Sequence, residues 1–357
     1  ESIVANKRPV RLGILGAARI VPNALIKPAE QLGTAEVVAI AARDPIRARA
    51  FAADNGIPQV LPSYDELIAA SNIDAIYLPL PNSLHCEWTI RALRAGKHVL
   101  CEKPIASNAT EAQQMEDVAS ETRLVLAEAF HYRYHPLAAR VRELLRAGCI
   151  GRVVHFDGHF SAPSLPTDIR YNWDLSGGAT MDLGCYLLNM LCYFSGFIPV
   201  VRRAKARLGP PKIDVAMEAE LEFEHGVNAH INCSIAGDTQ AGAWFAARGE
   251  CGELLVTNPV APHRGHLLTI RSSAGEQRQI VEGDATYVYQ LKAFVAAVRD
   301  NERIATGGSD GVLNMRLIDD VYCAAGLPRR GSLSPAPNVG LMEEAALKSR
   351  LSRHNLD

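Results

Sequence analysis

The chain reads as an α/β protein in two parts, a doubly wound parallel sheet followed by a second domain dominated by strands. Three observations predict this. Between residues 10 and 127, short and wholly apolar runs alternate with helical patterns, and strands that are apolar on both faces belong to parallel sheets covered by helices on either side. From Gly151 onward the pattern changes to successive strand-like runs. The length of 357 residues suits about two domains.

In chain order, the candidate strands of the first part are Val10 to Leu15, Val37 to Ala41, Ala75 to Leu78, His98 to Cys101 and Leu124 to Ala127. Helices are expected between them. Ser63-Tyr64-Asp65-Glu66 has the spacing of a capping box, and Gly56 and Gly96 stand where helices stop. In the second part, strands are expected over Val153 to Phe160, Val201 to Leu208, Ala216 to Phe223 and Val227 to Ile235, the last two forming a hairpin around Glu224-His225-Gly226. Gly252 to Val256 and Leu267 to Arg271 continue the sheet, and Tyr287 to Arg299 and Val312 to Ala325 read as closing helices. The apolar window from Ala179 to Val201 is interrupted by Asp182, Asn189 and Gly196-Phe197-Ile198-Pro199, so it reads as a buried helix and not a membrane span. Glu1 to Arg8 and the segment beyond Arg330 are expected to be loose ends.

Composition narrows the partners. With 48% hydrophobic and 21% charged residues the mixture is that of a globular protein. A formal net charge of -2 leaves no electrostatic footprint for nucleic acid or an anionic membrane, which points to small molecules. The 8 cysteines include no C-x-x-C pair and read as reduced, mostly buried thiols of a cytoplasmic protein. No charged-then-apolar signal opens the chain; it does not begin with Met, and a removed leader stays open.

The candidate chemistry gathers at the carboxyl ends of the first sheet, where open α/β folds bind ligands. The turn after the first strand is Gly13-Ile14-Leu15-Gly16-Ala17-Ala18-Arg19-Ile20-Val21. Aligned on G-x-G-x-x-G, only Gly16 is kept, with Ala18 and Val21 at the other two positions. Alanine still allows a pyrophosphate to approach the backbone, and a helix starting after Ala18 would supply N–H donors. The same residues also suit a strand-to-helix turn with no ligand. The second strand ends Ala41-Ala42-Arg43-Asp44. Arg43 suits a 2′-phosphate, and Ala42 removes the carboxylate that would repel it, which favours NADP while Asp44 leaves NAD open; a solvated charge is the alternative. Pro79-Leu80-Pro81-Asn82-Ser83-Leu84-His85 forms a rigid loop at the same edge. His98-Val99-Leu100-Cys101-Glu102-Lys103-Pro104 delivers a carboxylate and an amine there.

Further along, Glu128-Ala129-Phe130-His131-Tyr132-Arg133-Tyr134-His135-Pro136 crowds aromatics around Arg133. Gly177-Gly178-Ala179-Thr180-Met181-Asp182-Leu183-Gly184-Cys185-Tyr186 then opens a helix, on which Asp182, Tyr186 and Asn189 fall at intervals of four and three, on one face. An acidic residue in so apolar a helix needs a partner or a cavity. Asp168-Ile169-Arg170-Tyr171-Asn172-Trp173 precedes the glycines; Arg170 and Trp173 suit sugar recognition and equally suit a structural loop, and Asn189 is a third candidate for the substrate side. His263-Arg264-Gly265-His266 either reaches the pocket or turns the chain, and two histidines without acidic neighbours are no metal site.

These motifs in this order resemble the Gfo/Idh/MocA oxidoreductase family over about Val10 to Gly326, most closely the branch that contains dimeric dihydrodiol dehydrogenase and D-xylose dehydrogenase. The resemblance implies a Rossmann domain over residues 1–130 that binds NAD(P). A substrate-binding and oligomerisation domain with an open, mainly antiparallel sheet follows over 131–330, and a tail over 331–357. It implies a cis peptide before Pro104 and an arginine near the cofactor at Arg133, which as a residue equally suits a packed domain joint. The cofactor set is then Gly16, Ala17, Ala18, Arg19, Ile20, Arg43, Pro79, Asn82, His85, Glu102, Lys103 and Arg133. The residue four after the aspartate is Tyr here, where inositol-type members carry His.

Lys103, Asp182 and Tyr186 make a plausible chemical set. A tyrosine with a pKa of about 10 is a poor base at neutral pH, and a neighbouring ammonium favours its phenolate. Tyr186 is then the general base, Lys103 supports cofactor and base, and Asp182 holds the substrate hydroxyl or the lysine. The expected activity is hydride transfer to or from a small sugar, polyol or dihydrodiol. A keto-sugar reductase and a non-catalytic NAD(P)-binding regulator are the alternatives. One face of the open sheet must be covered, and the resemblance implies that another subunit covers it, in a homodimer or homotetramer.

Overall fold

The computed structural model describes residues 8–210 and 212–331. Its first sheet contains β1 (Val10–Leu15), β2 (Ala35–Ala41), β3 (Gln59–Val60), β4 (Ala75–Leu78), β5 (His98–Cys101) and β6 (Leu126–Glu128). The six strands are parallel in the order β3-β2-β1-β4-β5-β6. Strand order reverses between β1 and β4, which places the ligand crevice over their carboxyl ends. Leu12, Ile14, Ile76, Tyr77, Val99 and Leu100 are all 0% exposed, because helices cover both faces. The helices of this half are α1 (Lys27–Leu32), α2 (Pro45–Asp54), α3 (Tyr64–Ala69), α4 (His85–Arg94) and α5 (Ala109–Thr122). Ser63 caps α3 by accepting the Glu66 N–H at 3.1 Å, and Asp44 caps α2 by accepting the N–H groups of Ile46 and Arg47.

The second sheet contains β7 (Val153–Ser161), β8 (Val200–Gly209), β9 (Ile213–Glu222), β10 (Asn228–Ser234), β11 (Gly242–Gly249), β12 (Gly252–Thr257), β13 (Leu267–Ser272) and β14 (Gly275–Gln279). The eight strands run in the order β14-β13-β12-β11-β7-β10-β9-β8. All neighbours are antiparallel except β7 and β10, and β9 and β10 form the expected hairpin. β3, β11 and β14 were not anticipated. β3 is too short to show a pattern. β11 is rich in alanine and glycine, and its pairing between β7 and β12 overrides that weak preference. β14 is an edge strand of polar residues.

Helix α7 (Cys185–Ser195) lies against β7 and β10, and α6 (Pro136–Arg146) packs on α7. α8 (Thr286–Asp300) returns to the first sheet, where Leu291, Phe294 and Val295 join Leu12 and Ile14 in one core. α9 (Gly308–Ala324) packs across α5, α7 and β8. All 8 cysteines are unpaired, but only Cys101, Cys185 and Cys233 are buried. The expectation of mostly buried thiols is therefore corrected: Cys251 sits in the turn between β11 and β12, and Cys323 near the end of α9. Among the described residues, no helix is long and apolar enough to cross a membrane. The expected loose ends fall almost wholly outside the described residues.

Glu128, at the end of β6, is 0% exposed. One carboxyl oxygen accepts the Ile105 N–H at 2.8 Å, and the other has no hydrogen-bond partner among the described residues. Burial, with Asp310 adding to it, pushes its pKa from 4.5 up to about 8. Between those values the folded chain holds a proton that the unfolded chain releases, so this group's contribution to stability is full below pH 4.5 and is lost as pH rises through about 8. Glu128→Gln removes the titration. In thermal melts the variant's midpoint relative to the wild type should climb as the pH is raised from 5 to 8; a constant offset would contradict a protonated Glu128.

Candidate active site

Three loops meet over the carboxyl ends of β1, β4 and β5. In the first, Gly16 has φ of 102°, its N–H donates to Ala41 O at 2.7 Å, and a Cβ there would come within 2.9 Å of Leu80 Cδ2. Glycine is required both by the backbone angle and by the neighbouring loop. Ala17 is buried and its carbonyl accepts Arg47 Nη2 at 2.7 Å. Ala18 and Ile20 are partly buried, and Arg19, 90% exposed, reaches Asp168 of the second half at 3.5 Å. The helix does not begin after Ala18. A π turn, Pro22–Ile26, precedes α1, with Pro22 at the first helical position, where its missing N–H costs nothing.

Arg43 is exposed beyond β2. Asp44, also exposed, caps α2 through one of its two carboxylate oxygens. Arg47, one helical turn after Arg43, lies beside it near Tyr64 and was missed in the sequence.

In the second loop, Pro79, Leu80 and Pro81 leave β4, and Asn82 Nδ2 donates to Ser176 O at 2.9 Å. His85 departs from expectation. It is 0% exposed, with Nδ1 2.8 Å from Pro104 O and Nε2 2.8 Å from Leu80 O. Both ring nitrogens are taken by backbone carbonyls, so His85 clamps the loop to the Lys103–Pro104 turn and presents nothing to a cofactor. That peptide is cis.

Glu102 and Lys103 form the third element. The Tyr77 hydroxyl donates to Glu102 Oε1 at 2.7 Å, and the Lys103 N–H to Oε2 at 3.3 Å. Burial raises the Glu102 pKa. Lys103 Nζ donates to Asp182 Oδ1 at 2.9 Å and to the Asp182 carbonyl at 2.8 Å. The other carboxylate oxygen of Asp182 accepts Arg170 Nε at 2.5 Å, and Arg170 Nη1 reaches Asp168 at 3.0 Å. Burial opposes ionisation of Asp182, but Lys103 and Arg170 outweigh it and hold the carboxyl below its usual range.

Tyr186 is 5% exposed and enclosed by Phe130, Tyr132 and Phe160. The Lys103 ammonium lies 5.0 Å from the centre of its ring, over the ring face, while the hydroxyl is 3.2 Å from His131 Nε2. Burial, then the nearby Tyr287, Glu102, Cys185 and Asp182, raises the Tyr186 pKa well above 10.0. This corrects the expectation that Lys103 favours the phenolate: the ammonium is placed against the ring and its charge is answered by Asp182.

Asp182 does not share one regular helix with Tyr186 and Asn189, which both lie on α7. Asp182 lies in a π turn, Thr180–Gly184, ahead of α7. Asn189 turns to the segment after β6, accepting from Tyr132 Oη at 2.6 Å and Arg133 Nη1 at 3.3 Å and donating to Asp310 at 3.4 Å. Arg133 pairs with Asp310 at 3.2 Å and lies over Tyr193 at 4.2 Å. Trp173 is half-buried with the Arg330 guanidinium 4.2 Å from its ring centre. Of the three substrate candidates only Arg170 therefore joins Lys103 and Asp182.

The loop that carries Arg170 is pinned at Gly178, whose φ is 131° and whose hypothetical Cβ would collide with Asp214. Arg330, 1% exposed, pairs with Asp214 and donates to Gly177 O at 2.8 Å. On the far side, Tyr287 stacks on His131 at 4.1 Å, and the Pro262–Arg264 turn reaches the cluster, His263 Nδ1 accepting the Thr286 N–H at 3.4 Å. His131, Tyr77, Tyr287 and Arg330 had no local signal marking them, since their partners lie far away in the chain. Among the described residues, no cluster of three or more His, Cys, Asp or Glu could hold a metal ion.

A doubly wound parallel sheet with a lysine, an aspartate and a tyrosine gathered over its carboxyl edge defines a two-domain oxidoreductase of the dinucleotide-binding kind. Residues 10–130 match the family model described as the oxidoreductase family with an NAD-binding Rossmann fold, and residues 138–255 match the Gfo/Idh/MocA C-terminal domain. The chain belongs to the Gfo/Idh/MocA oxidoreductase family. It is 36% identical over 318 residues to D-xylose 1-dehydrogenase (NADP(+)) 2 of Haloferax volcanii, covering 88% of this chain and 96% of that one. It is 33% identical to a dTDP-3,4-didehydro-2,6-dideoxy-α-D-glucose 3-reductase of Actinomadura kijaniata, over 90% and 97% of the two chains. Among solved structures, a 3-ketoreductase from Actinomadura kijaniata in complex with NADP and TDP-benzene superposes with a TM-score of 0.83 at 30% identity, covering 88% of this chain and 98% of that one.

Removing the shared carboxylate should expose its role. Asp182→Ala leaves the Lys103 ammonium, 14% exposed, without its carboxylate and beside the half-exposed Arg170, and should cost about 2 kcal/mol in urea denaturation. Asp182→Ala with Lys103→Met should recover part of that loss, and a double variant no better than the single one would contradict the pairing.

Proposed function

We propose that this oxidoreductase transfers a hydride between C4 of a nicotinamide, carried by NADP in preference to NAD, and the hydroxyl- or carbonyl-bearing carbon of a small sugar, polyol or dihydrodiol. The observation that carries the reading is the cluster of Lys103, Asp182 and Tyr186 at the carboxyl edge of the first sheet, beside the Gly16 turn. The residues present suit a dinucleotide: no side chain at Gly16 fills the turn, Arg43 is exposed beyond β2, and one oxygen of Asp44 caps its own helix. Residues 1–130 would carry the nucleotide and 131–330 the substrate, followed by the 331–357 tail.

When bound, NADP supplies the hydride acceptor or donor. In the oxidative direction, Tyr186 takes the substrate's hydroxyl proton; in the reductive direction it returns a proton to the developing alkoxide. Asp182 holds Lys103 over the Tyr186 ring, fixing a positive charge in the cavity that holds the proposed base. Arg170, on the other oxygen of Asp182, shapes the substrate side. A keto-sugar reductase of the same mechanism is the second reading, favoured by the 3-reductase relative. The unpaired thiols suit a cytoplasmic protein. The face of the second sheet opposite α7, with Trp244, Leu255 and His159 on it, suits a second copy of the chain in a homodimer or homotetramer.

Titration with NADPH and NADH, followed by a panel of aldoses, polyols, dihydrodiols and keto-sugars monitored at the nicotinamide absorbance, tests the reading. Turnover of any one supports it; no binding of either nucleotide sinks it. Tyr186→Phe should bind NADPH as the wild type does while turnover falls by roughly 10²–10⁴-fold; an unchanged kcat would remove the base. Arg43→Ala should weaken NADPH by about tenfold and leave NADH nearly unaffected, since only one of them offers a phosphate to the guanidinium.

A further inference from the structure

Tyr186 is left with an unexplained neighbour. Its hydroxyl meets not Lys103 but His131, which is 4% exposed and stands 3.2 Å away through Nε2. The other ring nitrogen, Nδ1, is 2.8 Å from Thr286 Oγ1, and Thr286 is itself 0% exposed at the start of α8. Three side chains from three separate elements thus form one buried line.

The direction of its hydrogen bonds follows from Thr286. A buried hydroxyl must place its proton on an acceptor, and among the described residues the partner of this oxygen is His131 Nδ1. The Thr286 proton therefore goes to Nδ1, and a neutral imidazole with Nδ1 accepting carries its own proton on Nε2, facing the Tyr186 oxygen. Neutrality is enforced by the surroundings: burial, then Lys103, His263 and Arg264, lower the His131 pKa from 6.5 to about 3. Tyr287 covers its ring.

We infer that His131, set in its Nε2–H tautomer by Thr286, donates a hydrogen bond to the phenol oxygen of Tyr186 and is the positioning residue for that group. The inference rests on the role proposed above for Tyr186. The donated bond has two consequences. It stabilises the phenolate in a cavity where burial, Tyr287, Glu102, Cys185 and Asp182 all oppose it and Lys103 sits over the ring. It also occupies one side of the oxygen with a donor, so the phenol's own O–H points away from His131, toward a substrate oxygen. The opposite tautomer would draw that proton back into the protein.

The test is the pH profile of kcat/KM in the oxidative direction for the best substrate of the panel. His131→Phe removes the donor and should move the ascending limb to higher pH by about 1 unit. Thr286→Val, which frees the tautomer, should move it the same way by less. His131→Gln, which can present an amide N–H, and Thr286→Ser, which keeps the hydroxyl, should restore the limb. A lower kcat with an unmoved limb in both His131→Phe and Thr286→Val would reduce His131 to packing and overturn the inference. Should His131→Phe fail to fold, the Thr286→Val profile alone decides. Imidazole ¹⁵N shifts of the wild-type protein give a readout that needs no substrate: between pH 6 and 8 the inference requires Nε2 protonated and Nδ1 bare, and the reverse pattern excludes it. Tyr186→Phe separates the two levels, because full activity in that variant removes the proposed base itself, whereas an inactive Tyr186→Phe beside unshifted His131 and Thr286 variants removes only this inference.

Discussion

The Asp182 carboxylate is the constraint on which the rest of the site depends. One of its oxygens receives the lysine that leaves β5 of the first sheet, and the other receives an arginine from a loop of the second half. Two cations this close would repel each other across a poorly hydrated gap. With the anion between them they become a fixed frame. Ion pairs of this kind add little net stability, because desolvation cancels much of the attraction. Their value is geometric: the ammonium stays over the Tyr186 ring and the Arg170 loop stays closed over the π turn.

Around that frame, each surrounding contact fixes one degree of freedom. His85 ties the loop after β4 to the cis Lys103–Pro104 turn, so the lysine's backbone cannot drift. Asp214 and Arg330 hold the glycine loop from beneath. Arg133, Asn189 and Asp310 tie the segment after β6 to α7 and α9. The result is a preorganised pocket whose polar groups were solvated by the protein before any ligand arrives.

Much of this was legible from the sequence because it is local. The wholly apolar runs of β1, β4 and β5 specify buried parallel strands, Ser63 and Glu66 specify a helix start, and the Glu-Lys-Pro turn announces a sheet end. Lys103, Asp182 and Tyr186 could be singled out since charged or hydroxylated residues in apolar surroundings need a reason to be there. What could not be read depends on distant partners. Nothing in the spacing tells that His85 would find two carbonyls, that Asn189 would turn to Arg133 instead of following Asp182, or that the ammonium would meet the ring of Tyr186 and not its oxygen. The π turn at Thr180–Gly184 breaks the regular spacing on which the one-face argument relied. The alanine-rich β11 and the polar β14 owe their conformation to the strands beside them.

The path of α8 has a consequence for how such chains can diverge. The matched C-terminal family domain ends at residue 255, yet residues 286–300 come back to supply Leu291, Phe294 and Val295 to the core of the first sheet. The nucleotide half is thus assembled from two stretches of chain, with the second sheet inserted between them. A crossover that exchanged everything after a single point near residue 130 would import a foreign α8 against a resident β1. Productive shuffling between relatives needs two breakpoints, one on each side of the second sheet. The sequence of α8 is accordingly bound to drift in step with that of β1 and α1, and not with the strands that precede it.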